Sequence, residues 1–168
     1  KEFKPGGAAH VALNLAGLGA RVTLMGIVGK DVYYEHLKNS LNKETKIVCK
    51  VIESKSRPTS IKTRIIADNR QLARLDDELT DEISDKNVSN FINKIDKNIK
   101  NFDGVIIQDY NKGLLTSSLI KNIIDCSKIN GVPVYVDPKF DNYISYKGVR
   151  LFKPNLVEYE AIAKEGNF

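Results

Sequence analysis

Cysteine is scarce in this sequence: Cys49 and Cys126 stand alone in apolar surroundings among 168 residues, with no CxxC spacing and no histidine-rich segment beside them. That excludes a disulfide framework, argues against a zinc site and fits a reducing cytoplasm. Long apolar runs are absent. No stretch approaches the roughly 18 consecutive apolar residues of a membrane span, and the opening Lys1-Glu2-Phe3-Lys4-Pro5 resembles neither a signal nor a transit peptide, so a soluble protein with no membrane partner is expected. Concentrated charge of one sign is missing too. The formal charge is +5, but twenty lysines and six arginines are scattered without a basic block or interleaved aromatics, and no nucleic-acid partner is expected. There is no Walker A loop and no GxGxxG. The GIVGKD at 26–31 lacks both the glycine spacing and a following acid placed for a ribose, which disfavours a dinucleotide fold.

What is present is 42% apolar and 28% charged, one domain's worth of ordinary globular sequence. Ala8 to Leu18 is apolar on nearly every side, predicting a helix buried around most of its circumference, opened by Gly6-Gly7 and closed by Gly19. Val22 to Val28 reads as a strand, and Asp31 as the N-cap of a helix running to about Leu41. Residues 47–52 read as a further strand. Ser60 to Ala67 and Gln71 to Asp76 alternate about a turn at Asp68-Asn69-Arg70, predicting a hairpin with a polar, basic face. Residues 85–100 predict an amphipathic helix, and Gly104 to Gln108 a short buried strand. Thr116 is expected to cap a helix that Gly131 stops. Val132 to Val136 and Val149 to Phe152 complete the strands, with a helix from Leu156. This βαβ spacing predicts an α/β fold with a largely parallel sheet, helices on both faces and a small hairpin. Neither end of the chain has the look of a natural terminus, so a fold incomplete at both ends is expected.

In such sheets ligands bind beyond the carboxyl ends of the strands. Asp109 and Lys112 follow one strand, where an acid and a lysine suit a phosphate or a hydroxyl-rich ligand; a capped turn with a solvated lysine is the equal alternative. Lys139 follows Asp137-Pro138, and Lys153 the next strand. Asn155 and Glu158 have capping-box spacing, the stronger reading, yet an amide and a carboxylate at a helix start also suit hydrated Mg²⁺ and phosphate oxygens. Gly6 and Gly7 allow close backbone approach at a helix N-terminus, or simply form an entry turn. Lys62, Arg64 and Arg74 can share one face of the hairpin as a basic flap, though a solvated strand face is commoner. His10, on an apolar helix, reads first as a core histidine.

Together, GGAAHVA (6–12), RPTSIKTRIIADNRQLARLDDE (57–78), DYNKGLL (109–115), GVPVYVDPK (131–139) and KPNLVEYEA (153–161) resemble the PfkB/ribokinase family of sugar kinases, and within it the bacterial heptose 7-phosphate kinases. The resemblance implies a partial ribokinase-like domain over 1–168, with a lid at approximately 46–76. It implies ATP-dependent phosphorylation of the anomeric hydroxyl of heptose 7-phosphate, with Mg²⁺. Gly6, Gly7 and His10 would contact the sugar, Lys62, Arg64 and Arg74 its phosphate, and Asp109 and Lys112 the substrate. Lys139, Lys153, Asn155 and Glu158 would meet the nucleotide, Glu158 serving the metal. His10 departs from the family's asparagine, which keeps another sugar or a nucleoside open as acceptor. The family's GAGD, which carries the catalytic base and the anion hole, is absent from these residues, as is its early sugar-binding strand. No catalytic residue is therefore assigned, and the fragment is expected to be inactive alone. A non-catalytic sugar- or nucleotide-binding module stays open on that ground. Lid pairing predicts a homodimer of the intact protein.

Overall fold

The computed structural model describes residues 2–165, which divide after Leu79 into two compact units. In the first, helix α1 (Gly7–Gly17) buries Ala9, Ala12 and Ala16 at helical spacing while His10 and Asn14 are exposed, so the apolar run buries one narrow stripe and not most of its circumference. Small alanines let that stripe lie close against Leu24 and Leu41. Gly19, at φ +102°, ends the helix: its N–H bonds to Ala16 O and the next, of Ala20, to Leu15 O, the double bond of a Schellman motif.

The expected strand over 22–28 is broken into β1 (Val22–Leu24) and β2 (Ile27–Gly29), with α2 (Val32–Leu41) after it. Its partner is broken alike into β3 (Ile47–Cys49) and β4 (Ile52–Ser54). The pairing is parallel and keeps one register across the break, because Lys50 and Ile52 donate to the carbonyls of Leu24 (2.8 Å) and Gly26 (2.9 Å). Strands β5 (Ile61–Ala67) and β6 (Arg70–Asp77) form the predicted hairpin. Asp68 and Asn69 both take positive φ (49° and 60°), the requirement of a type I′ turn, whose twist matches that of the strands.

In the second unit α3 (Asp85–Asp96) stops short of residue 100, and a separate 3₁₀ turn (Ile99–Asn101) buries Ile99. Strands β7 (Val105–Gln108), β8 (Val134–Asp137) and β9 (Leu151–Phe152) run parallel in that order. Between them lie α4 (Ser117–Ile129), capped by Thr116 Oγ1 on the Leu119 N–H, and a 3₁₀ segment (Phe140–Tyr146); α5 (Leu156–Lys164) follows. Leu119, Ile120, Ile107, Val134 and Val136 are buried. The strand at 105–108 is not buried on both sides: Ile106, Tyr135 and Leu151 lie side by side across the ladder on the opposite face and are 47%, 37% and 51% exposed. A period of two puts alternate residues on opposite faces, and only one face is covered among the described residues.

Candidate functional site

At the carboxyl ends of β7, β8 and β9 the residues that follow each strand meet. Lys139 Nζ donates to Glu158 Oε1 at 2.5 Å. The other carboxylate oxygen accepts the Asn155 N–H, and Asn155 Oδ1 accepts the Glu158 N–H, both at 2.9 Å, so the predicted capping box is formed. Beside it Lys153 Nζ lies 3.3 Å from Asp137 Oδ1, and the Gln108 amide donates to Asp137. Glu158 is 8% exposed. Burial pushes its carboxyl up, but the Lys139 ammonium and the Asn155 N–H outweigh burial and hold it below the ordinary carboxylate value. The hydrogen bond from Lys139 to Glu158 raises the lysine in turn, against the opposing effect of burial.

These contacts bear on two expectations. Both Glu158 oxygens are engaged and an ammonium already neutralises the carboxylate, so a divalent ion bound directly to it would have to displace Lys139. No group of three or more metal-ligating side chains occurs among the described residues, and Glu158 stands here as helix cap and lysine partner. Asp109, only 2% exposed, accepts from the Asn111 N–H (2.7 Å), the Asn142 amide (2.9 Å) and the Tyr146 hydroxyl (2.7 Å). These bonds form the capped turn that was one of the two readings, with the carboxylate buried among its donors. Burial first, then Asp109, pushes the Tyr146 phenol far up, so it stays a donor. Lys112 is half-buried in the same loop, which is pinned at Gly113: there φ is +69° and an added Cβ would lie 1.8 Å from Asp81 O.

The first unit carries the other predicted residues. Gly6 is the N-cap of α1 with no side-chain cap, Gly7 takes φ +53°, and His10 is exposed, which removes the core reading. Lys62, Arg64 and Arg74 do share one face of the hairpin, yet Asp76 sits on it too. Lys62 Nζ is 3.0 Å from Asp76 and 2.9 Å from Glu78, and Arg74 holds Asp76 through two nitrogens at 2.8 and 2.7 Å. The basic face is thus largely neutralised. Arg64, across the ladder from Arg74, has no carboxylate partner among the described residues.

Asp76 was legible, since residues 74 and 76 alternate onto one face. Asn142 and Tyr146 were not, because 33 and 37 residues separate them from Asp109.

The family described as pfkB family carbohydrate kinase matches residues 1–167. Proteins named Bifunctional protein HldE are similar to this chain: that of Geobacter sulfurreducens is 36% identical over 96% of the chain, and that of Helicobacter pylori 39% over 92%. The chain spans about a third of the length of these curated relatives (33% and 34%). Among solved structures, phosphofructokinase-2 from Escherichia coli in complex with substrates and products gives a TM-score of 0.73 at 19% identity, over 97% of this chain and 53% of that one. A possible 1-phosphofructokinase from Thermotoga maritima gives 0.69 at 15%, over 94% and 55%. At such identities the likeness establishes the ribokinase-like fold.

Proposed function

The chain belongs to the pfkB family of carbohydrate kinases, and from that premise we propose that the protein carrying it transfers a phosphoryl group from ATP, with Mg²⁺, to the anomeric hydroxyl of heptose 7-phosphate. The observation that carries the choice of sugar is the similarity to the HldE proteins, 35–39% identical across at least 91% of the chain, against 15–20% for the phosphofructokinases. In this reading Gly6, Gly7 and His10 meet the sugar, and residues 46–76 act as a lid whose hairpin pairs with that of a second copy in a homodimer. Nearly all of the hairpin is exposed, including Ile65 and Leu75, which supports such pairing. Lys139, Lys153, Asn155 and Glu158 approach the nucleotide and its metal, with Lys153 the more available cation because its pairing with Asp137 is long and its side chain 66% exposed. Phosphoryl transfer depends chiefly on positioning and charge stabilisation; these residues supply positioning.

No helix among the described residues is long and apolar enough to cross a membrane, which is compatible with a cytoplasmic reaction on a soluble sugar phosphate. The test is an assay of the full-length polypeptide with ATP and Mg²⁺ against heptose 7-phosphate, ribose, fructose 6-phosphate and a nucleoside. A 1,7-bisphosphate product is expected; turnover confined to any other acceptor overturns the assignment.

A further inference from the structure

A cavity of about 550 Å³ opens where β2 and β4 end, lined by Lys30, Asp31, Ser54, Lys55, Ser56 and Arg57. We propose that it binds a phosphate monoester dianion and, resting on the reading above, that it seats the acceptor's non-reacting phosphate in place of the hairpin cations.

Charge is the first reason. Two exposed lysines, Lys30 and Lys55, line it beside one carboxylate, and Asp31 has both oxygens committed to backbone N–H groups, of Tyr34 at 2.9 Å and Thr59 at 2.8 Å. Lys30 and Lys55 are exposed and have no ion-pair partner among the described residues, whereas a phosphate on Lys62 and Arg74 would have to displace Asp76 and Glu78. The Ser54 and Ser56 hydroxyls, 3.2 Å apart, add the polar donors that a phosphate takes beside lysines.

Rigidity is the second. The Gly29 N–H donates to Thr59 Oγ1 at 3.0 Å, and the Lys30 N–H to the Ser54 carbonyl at 3.1 Å, so the two loops leaving the strands are tied to each other. A Cβ on Gly29 would lie 2.3 Å from an Asp31 oxygen and 2.8 Å from the Arg57 carbonyl; the cavity wall therefore needs glycine there. Finally, the cavity lies at the carboxyl ends of parallel strands, where α/β folds bind ligands.

The experiment compares K30Q, K55Q, the double variant and the surface control K121Q in the full-length polypeptide. The double variant is expected to raise KM for heptose 7-phosphate by roughly ten- to a hundredfold, with KM for ATP and turnover of unphosphorylated heptose unchanged. A wild-type KM for heptose 7-phosphate in the double variant overturns the proposal while leaving the kinase reading intact. If the wild type does not phosphorylate heptose 7-phosphate, that reading fails instead, and titration with inorganic phosphate decides the cavity. Saturable binding that the double variant loses supports it; binding that is absent, or unchanged in the double variant, overturns it. Competition separates the sources: heptose 7-phosphate displacing bound phosphate supports the acceptor assignment, and displacement by a non-hydrolysable ATP analogue alone refutes it.

Discussion

The hairpin of the first unit and the strand tips of the second both pair lysine with carboxylate, yet the two arrangements differ in what surrounds the charges. Lys62, Arg74 and Asp76 meet on a ribbon exposed along nearly its whole length, where water screens the pairs and their formation contributes little. Glu158 and Asp109 are 8% and 2% exposed, and each has its oxygens filled by named donors. There the cost of losing a partner is that of leaving a buried acceptor unsatisfied. Similar charge pairs thus lie on an exposed ribbon in one place and fix loop geometry in the other.

The sharpest way to break this comparison is at Gly113. Gly113→Ala meets Asp81 O at 1.8 Å, and we expect loss of the folded second unit or a destabilisation above about 3 kcal/mol by urea titration. Gly131→Ala has the same φ of +69° but nothing within 4 Å, and about 1 kcal/mol is expected. Equal effects would show that conformation, not the close approach, pins the loop. Next in size is Tyr146→Phe, which removes one donor from buried Asp109 and should cost about 1–3 kcal/mol in the same titration. A change below about 0.5 kcal/mol would mean that the turn does not depend on this bond.

Acid should separate the regions further. Because the folded-state value of Glu158 lies below the ordinary one, its contribution is complete above the unfolded value of about 4.3 and is lost as pH falls through the folded one. Lys139 is raised, so its contribution is lost only at alkaline pH, above its ordinary value. Glu158→Gln should therefore flatten the stability profile below about pH 4.3; an unchanged acid limb would remove the pair from the account. The smallest effect is expected from Asp76→Asn, which should leave the urea midpoint unchanged although the Asp76 carboxyl is held far below its usual range by Arg74 and then Lys62. A measurable loss would show that the hairpin is not the screened surface described here.

Much of the local structure was legible from residue order. Thr116 and Asp31 cap the predicted helices, Asn155 and Glu158 form the expected box, and Asp68-Asn69 turns the hairpin, because each depends on contacts within four residues. Burial was less legible. The apolar run at 8–18 is buried on one stripe, and Ile106 is half-exposed, because composition does not say how many sides a neighbour covers.

Sequence by itself determined the alternation of strands and helices, the caps, the turn type and the candidate cations at the strand ends, all consequences of side-chain period and backbone preference. Only tertiary structure decided which of those charges are spent. Lys139 reaches Glu158 across 19 residues and Asp109 meets Tyr146 across 37, whereas Lys30 and Lys55, beside a cavity, have no ion-pair partner among the described residues. Pairing is set by distance in space and by burial, and neither is a function of separation along the chain.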